Sequence, residues 1–239
     1  MTTARTREAT ILAASLVLGL GLLGWLLGGS LVRFKQFERT VTVKGLAERE
    51  VGADTVLWPI TFTGADNDLE KLYTGLADHA GLVTTFLAAR GFGDHEVTVA
   101  PPAVNDKLAQ QWGGGADVGL RYTGTQTVTV STGRVDAVRK ALSDLAELGR
   151  EGVVISGGDY QNRTQFIFSG LNDLKPAMVE EATRNAREVA TKFAEDSESR
   201  LGKIKRAQQG VFSIDDRDAN TPHIKKVRVV STIEYYLAD

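Results

Sequence analysis

Few residues in this chain could support chemistry, and they are widely spaced. No two of the three histidines, His79, His95 and His223, have the i,i+4 or other spacing typical of a metal site. Cysteine is absent, so thiolate nucleophiles, disulfides and cysteine-ligated zinc are excluded. We therefore expect no metal site and interpret the histidines as surface or hydrogen-bonded residues.

Three other polar or glycine-rich segments resemble catalytic motifs only superficially. Asp215, Asp216 and Asp218 lack the spacing and distal glutamate of an EF-hand, which favours a solvated turn. Ser156 is not in a G-x-S-x-G elbow, so a strand bulge is the better interpretation. The glycines at 113–115 are not followed by the G-K-[ST] of a phosphate loop. The sequence thus predicts a protein that is not an enzyme and needs no cofactor.

Composition sets further limits on function. The 239 residues carry a formal net charge of −2, and 24% of them are charged. No clustered basic surface of the kind that binds nucleic acid is indicated. About 200 residues follow the first apolar segment, enough for one domain with a substantial core.

That apolar segment, Ala9–Val32, contains no charged residue. As a helix it would be roughly 36 Å long, against about 30 Å of bilayer hydrocarbon. We therefore predict a transmembrane helix that places the chain in contact with a lipid bilayer. The predicted organisation is a tail at 1–8, a membrane helix at 9–32, a linker at 33–39 and a domain at 40–239.

A secretory signal peptide is the alternative interpretation of this segment. Arg5 and Arg7 would form its basic region and Ile11–Leu27 its apolar core. The core is long for a signal peptide and no A-x-A-like cleavage site follows it, so an uncleaved anchor is favoured. Counting lysines and arginines on either side, including Arg33 and Lys35, mildly favours a cytoplasmic C-terminal side.

Glycines could mediate helix packing within this segment. Gly21, Gly24 and Gly28 fall on one helical face, and Gly24 and Gly28 have G-x-x-x-G spacing. Small faces allow membrane helices to approach closely. The alternative is that glycine is simply common in membrane helices, and the sequence does not decide between the two.

After the anchor, hydrophobic periodicity predicts the order ββαββαβαββ. Neighbouring strands joined by hairpins, with segregated helices, indicate an α+β fold with mostly antiparallel strands. Pro59 within the second strand predicts a sheet edge or a bulge there. The predicted strands are 36–51, 54–63, 94–109 (interrupted at Pro101-Pro102), 120–131, 149–169 in two parts, 204–214 and 223–237, and the predicted helices are 67–90, 133–148 and 173–200.

The longest predicted helix in the domain, 173–200, has an apolar stripe that we expect to be buried. Its members recur at intervals of three and four residues, as the core-facing side of a helix does. They are Val179, Ala182, Ala186, Val189 and Phe193.

An aromatic residue lies at the tip of a predicted long hairpin. Trp112 precedes Gly113, Gly114 and Gly115, a run that cannot hold a regular element. Such a tip could contact a partner subunit or a lipid surface. A disordered loop explains the same residues equally well.

Three motifs in order make the chain similar to the SIMPL domain, a bacterial family of largely unknown function. The first, V-x-V-x-G-x-A-x-x-x-V-x-A-D, covers Val41–Asp54. The second is an alanine-rich helix followed by a Leu201-Gly202 turn and a strand at Ile204. The third is the final strand, VRVVSTIEYYL. The resemblance spans about Thr40–Leu237.

The resemblance implies an exported α+β domain in the bacterial envelope. Some members of the family assemble into rings or channels, and roles in envelope stress have been suggested. The family has no agreed catalytic motif, so no catalytic residue is carried over. An uncleaved helix would be a departure from relatives with a cleavable signal peptide.

Combining residues and resemblance, we expect a non-enzymatic, ring-like homo-oligomer anchored in the inner membrane by one helix. The resemblance places its domain in the periplasm, against the lysine and arginine count. We expect lateral contacts through strand edges and through the 94–131 hairpin. The alternative function is a periplasmic ligand-binding module or a hydrolase with an unrecognised site.

Overall fold

The computed structural model describes residues 15–27, 39–109, 119–156 and 163–238. The prediction of an α+β fold with mostly antiparallel strands is confirmed. The helices are α1 (residues 15–27), α2 (Leu69–Ala89), α3 (Val135–Ser143), α4 (Ala146–Arg150) and α5 (Leu171–Asp196), with a 3-10 turn at Lys107–Ala109. The strands are β1 (Thr40–Gly52), β2 (Thr55–Asp66), β3 (Val97–Val99), β4 (Ala103–Asp106), β5 (Tyr122–Thr132), β6 (Val154–Ile155), β7 (Gln165–Ile167), β8 (Arg200–Gln209), β9 (Ser213–Asp216) and β10 (Ile224–Ala238).

The prediction of a membrane-spanning helix over residues 9–32 is wrong. The helix that the structure describes there, α1, covers only residues 15–27. That length is about 20 Å, short of the roughly 30 Å of bilayer hydrocarbon. Within the described ranges, no helix is both long and apolar enough to cross a membrane. A run of uncharged residues shows that a segment is apolar, but it does not by itself establish a helix long enough to span a bilayer.

The chain divides into two compact units. The first unit comprises Met1–Glu48, Lys175–Ser213 and Arg228–Asp239. The second comprises Arg49–Leu174 and Ile214–Val227. Each unit therefore combines segments that lie far apart in the sequence.

The second unit is built on β2 and β5, which pair antiparallel from Val56–Thr132 to Asp66–Tyr122. On the outer side of β5 lie β3 and β4, and on the outer side of β2 lie β6 and β7. The predicted interruption at Pro101-Pro102 is confirmed, because these residues separate β3 from β4. Proline has no amide hydrogen to give to a ladder, which explains the break.

Pro59 lies inside β2, opposite the gap between the short strands β6 and β7. The Ser156 N–H donates to the Thr61 carbonyl at 2.8 Å. The backbone groups of Thr61, and of Pro59 two residues earlier, therefore face the β6–β7 side. There, β6 pairs with residues 62–63 and β7 with residues 55–57. Pro59 thus sits where neither described strand would need its missing amide hydrogen.

Alternation in β2 and β5 creates the core of the second unit. Side chains of one parity in both strands are buried against α2, as period-two strands predict. At Gly124 an added Cβ would lie 2.6 Å from a Leu76 methyl, so this glycine permits the close approach of α2. The buried side chains of the two strands and of α2 include Val56, Trp58, Ile60, Phe62, Leu72, Leu76, Val83, Leu87, Val128 and Val130.

In the first unit, α5 packs on β1 at unusually short range. A Cβ at Gly45 would lie 1.9 Å from the Ala182 carbonyl oxygen and 2.5 Å from the Ala186 nitrogen. No side chain fits between the strand and the helix at this point. The helix residues that face β1 here are alanines at four-residue spacing, and all four are buried: Ala182, Ala186, Ala190 and Ala194. The sheet of this unit has the order β1-β10-β8, with β9 also paired to β10.

The predicted Leu201-Gly202 turn lies instead within β8. Helix α5 ends at Asp196, and the chain reverses at 197–199, where Glu198 has φ of 53°. The Ser199 N–H donates to the Ala194 carbonyl and the Glu198 N–H to the Glu195 carbonyl. This is the Schellman pattern, which usually has glycine at the residue of positive φ.

A carboxylate links β3 and β5 in the second unit. Glu96 accepts hydrogen bonds from the Thr132 hydroxyl, the Arg134 guanidinium and, at 2.9 Å, the Gly93 N–H. The Thr132 and Arg134 hydrogen bonds, followed by that from Gly93, lower the pKa of Glu96 to about 2. The ionised form is therefore the one that the fold stabilises.

We predict that Gly45→Ala destabilises the protein by at least about 3 kcal/mol, because the new methyl would overlap helix backbone rather than a movable side chain. Urea unfolding at neutral pH measures this loss. Gly81→Ala is the matched control, since Gly81 lies in α2 with open space around its Cβ position; there alanine should stabilise the helix by up to about 1 kcal/mol. Equal effects of the two substitutions would contradict the packing argument.

We predict that Glu96→Gln removes part of the acid sensitivity of folding. The folded pKa of Glu96, about 2, lies below its ordinary value of 4.5. Its stabilising contribution is therefore full above about pH 5 and is lost as the pH falls towards about 2. The variant should be less stable than the parent at neutral pH and should approach it in acid. Urea titrations at several pH values test this, with exposed Glu151→Gln as the control; parallel curves for parent and variant would refute the assignment.

Candidate functional site

The residues that the sequence singled out for packing fall partly outside the described structure. Gly21 and Gly24 lie on α1, exposed, with nothing within 4 Å of their Cβ positions apart from the helix itself. Gly28 lies outside the described residues. So do Trp112, Gly113, Gly114 and Gly115, together with most of the hairpin tip at 110–119. The structure therefore does not test the predicted contact at that tip.

The histidines lie in separate structural settings. His79 lies on α2, its ring edge-on to Phe62 at 6.1 Å, and His223 precedes β10, edge-on to Phe166 at 6.0 Å. His95 lies in the turn before β3. No group of three or more His, Asp or Glu side chains that could hold a metal occurs in the part of the chain that the structure describes.

Asp218 organises the turn that follows β9. Its carboxylate accepts hydrogen bonds from the Thr221 hydroxyl, from Arg217 and from the Asn220 N–H. The Thr221 and Arg217 hydrogen bonds lower its pKa to about 2. These donors belong to the turn itself, in agreement with a structural turn.

A cleft of ≈ 570 Å³ in the second unit brings charged groups together. Lys225 is 8% exposed, and its ammonium forms an ion pair with Asp216 at the cleft wall. Phe166 and Arg163 also line this cleft. Because Asp216 already neutralises Lys225, the pair has a structural role and leaves little free charge for a ligand.

In the first unit, β1 has a side that no described strand covers, since β1 ends the order β1-β10-β8. The Leu237 N–H donates to the Arg39 carbonyl at 2.8 Å, so odd-numbered residues here direct their backbone groups to β10. Even-numbered residues of β1 therefore direct theirs outward. We call the outward backbone groups of residues 42–48 the β1 edge.

A flank of α5 runs along the β1 edge. Asn185 donates from its side-chain amide to the Leu46 carbonyl at 2.8 Å, which locates this side of the helix. Val189 and Phe193 follow at i+4 and i+8, so they lie on the same side. They are 40% and 55% exposed. We call Asn185, Val189 and Phe193 the α5 flank, and it gives the β1 edge an apolar border.

The predicted burial of Val189 and Phe193 is therefore wrong, because Ala190 and Ala194 occupy the buried positions instead. Strict four-residue spacing of alanine from Ala182 onward was the signal that could have revealed this. Small side chains at i, i+4 and i+8 define a face of their own. Larger apolar residues beside that face are displaced towards solvent.

The opposite side of the sheet ends in β8, whose residues are almost all exposed. The Gly210 N–H donates to the Val230 carbonyl at 2.8 Å, so even-numbered residues of β10 face β8. Thr232 pairs with Gln208 and Glu234 pairs with Arg206, so the even-numbered residues of β8 here direct their backbone groups to β10. The backbone groups of Ala207 and Gln209 therefore point outward, and we call this side of residues 204–209 the β8 edge.

Each of the two edges can form hydrogen bonds with an additional strand and so extend the sheet. Outward N–H and C=O groups in an exposed strand are a template for another strand, although on the β1 edge the Leu46 carbonyl already accepts the Asn185 amide. Arg200, Lys203, Lys205 and Arg206 make β8 basic, with no acidic residue between Arg200 and Gln209. Like charges facing one another oppose pairing of β8 with a second β8.

In the described residues, this arrangement defines an α+β domain in which one sheet has two exposed edges. The sequence matches the family model SIMPL, protein of unknown function (DUF541), over residues 41–232. The chain therefore belongs to the SIMPL family. Among curated proteins, none matches it.

Proposed function

We propose that the protein forms a homo-oligomer in which the β1 edge of one copy pairs with the β8 edge of the next. The observation that carries the proposal is that one sheet presents two long exposed edges, one of them bordered by the apolar α5 flank. Its role is structural rather than catalytic.

Strand direction supports pairing between unlike edges. Both β1 and β8 lie next to β10 in the sheet order, and β8 runs antiparallel to it. The Arg39–Leu237 and Ala53–His223 hydrogen bonds give β1 the same antiparallel relation. A copy rotated about an axis along the strands would therefore offer its β1 parallel to β8 of its neighbour.

Side chains support the same pairing. A β8 strand added to the β1 edge would bring Ile204, 43% exposed, to the side on which Val189 and Phe193 lie. Burying these three side chains together removes apolar surface from water. The basic residues of β8 meanwhile disfavour contact between two β8 edges, so the unlike pairing is selected.

Pairing between unlike edges is head-to-tail, and it closes into a ring where the rotation between copies permits. In such a ring, each copy also contributes one α1 helix. Its described residues are exposed and include Gly21 and Gly24, which permit close helix contact. We include this helix contact in the proposal.

We predict that proline at either edge blocks assembly without unfolding the protein. Ala207→Pro and Thr42→Pro each remove an outward N–H that the ladder to β10 does not use. Each variant keeps one intact edge and cannot pair with itself, so each should be monomeric by light scattering. An equal mixture should form a one-to-one dimer and nothing larger, because one β1 edge and one β8 edge remain.

Ala207→Ser and Thr42→Ser are the matched controls, since they keep the backbone N–H and should assemble like the parent. Circular dichroism checks that the proline variants are folded. A parent chain that stays monomeric over a wide concentration range would end the proposal. Dimers formed by one proline variant alone would instead show that like edges pair.

We further propose that the assembly works in the cell envelope, outside the cytoplasm, as the family resemblance suggests, and contributes there under envelope stress. The chain has no cysteine, so Ala219→Cys, at an exposed turn, gives a single reporter thiol. A thiol reagent that crosses the outer but not the inner membrane should label it in intact cells. Labelling that requires opening of the inner membrane would place the domain in the cytoplasm.

A further inference from the structure

A second cleft of ≈ 520 Å³ lies in the first unit between α5 and β8. Its volume is in the range of small-molecule sites. We call it the α5–β8 cleft. Its lining consists of Arg187 from α5, Leu201, Gly202, Lys203 and Ile204 from β8, and Tyr235 from β10.

Two positive charges meet at this cleft without a counter-charge. Neither Arg187 nor Lys203 forms an ion pair with any carboxylate of the described chain. By contrast, Lys205 of β8 pairs with Glu234, and Lys225 and Arg228 of β10 pair with Asp216 and Glu48. The cleft therefore holds a local excess of about two positive charges.

The inner wall of the cleft carries a buried hydroxyl. Tyr235 is 1% exposed, and its hydroxyl has no hydrogen-bond partner among the described residues. A buried phenol normally donates its proton to an acceptor. Tyr235 also lines the cleft, so this unpartnered donor belongs to a residue of the cleft wall.

Irregular pairing between β8 and β10 helps to form this cleft. The register between β10 and β8 shifts between Glu234 and Tyr235, and again between Tyr235 and Leu237, so β8 contains bulges beside Tyr235. A Cβ at Gly202 would lie 2.8 Å from the Tyr236 carbonyl oxygen, so the second bulge needs glycine. Bulges re-aim side chains next to functional sites, and these place Lys203 at the cleft.

We propose that the α5–β8 cleft binds a phosphate group. A guanidinium, an ammonium and a phenol together offer donors to several oxygens of one tetrahedral anion. Two uncompensated positive charges match a phosphate or phosphate monoester, which carries about −1.5 to −2 at pH 7, better than a carboxylate. Leu201 and Ile204 add apolar walls that favour an ester with a hydrophobic group over free phosphate.

The proposal does not depend on assembly, although the cleft lies beside the β8 edge. Binding is therefore measured on the full chain and on the monomeric Ala207→Pro variant. Calorimetric titration with inorganic phosphate, phenyl phosphate and acetate provides the affinities. We expect phenyl phosphate to bind more tightly than inorganic phosphate, and acetate to bind at least about tenfold more weakly than either.

Arg187→Gln should weaken phosphate binding by about tenfold or more, since it removes a positive charge and the paired N–H donors of the guanidinium. Tyr235→Phe should weaken it several-fold while leaving the charge and the packing unchanged. Lys192→Gln, an exposed lysine elsewhere on α5, is the matched control and should have no effect. Backbone NMR shifts on phosphate addition should centre on residues 201–204.

Three outcomes would overturn the proposal. One is the absence of phosphate binding at millimolar concentration by both the full chain and Ala207→Pro. Another is an equal loss of affinity in Lys192→Gln and Arg187→Gln, which would indicate non-specific attraction. The third is unchanged affinity in Tyr235→Phe together with shifts spread over many basic residues.

Discussion

The contact between Gly45 and α5 is the constraint on which the first unit depends. The helix backbone lies so close to β1 that a Cβ would overlap the Ala182 carbonyl. From Ala182 to Ala194 the buried face of the helix consists of alanines, and the larger Val189 and Phe193 remain beside it, partly in solvent. Close packing of the unit therefore also produces the apolar border of the β1 edge, so the feature that stabilises the fold also creates the surface through which we propose assembly.

Elements with strong local signals could be predicted from the sequence. The predicted helix 67–90 corresponds to α2 at Leu69–Ala89, with Asp68 as its N-cap. The predicted last strand 223–237 corresponds to β10 at Ile224–Ala238. Hydrophobic periodicity and capping residues act within a few positions along the chain, so a single sequence is enough to reveal them.

Features that depend on contacts distant in sequence could not be predicted. Gly202 suggested a helix stop, but it is required by the approach of the Tyr236 carbonyl in the neighbouring strand. The true stop at Glu198 uses a non-glycine residue with positive φ, which no local rule favours. The α5–β8 cleft likewise joins Arg187 to Lys203 and Tyr235, which come from three elements and share no spacing in the sequence.

The motif that identifies the family consists largely of residues with structural roles. Besides Gly45, it contains Asp54, whose carboxylate accepts the Ser169 N–H at 2.7 Å and the Gly170 N–H at 3.2 Å just before α5. Burial acts to raise the pKa of Asp54, but the hydrogen bonds from Ser169, Thr55 and Gly170 outweigh it and lower that pKa. A match to this motif therefore transfers the fold and says little about activity. We therefore expect the function to depend on residues that the motif does not specify: the even-numbered positions of β1, the β8 edge and the α5–β8 cleft.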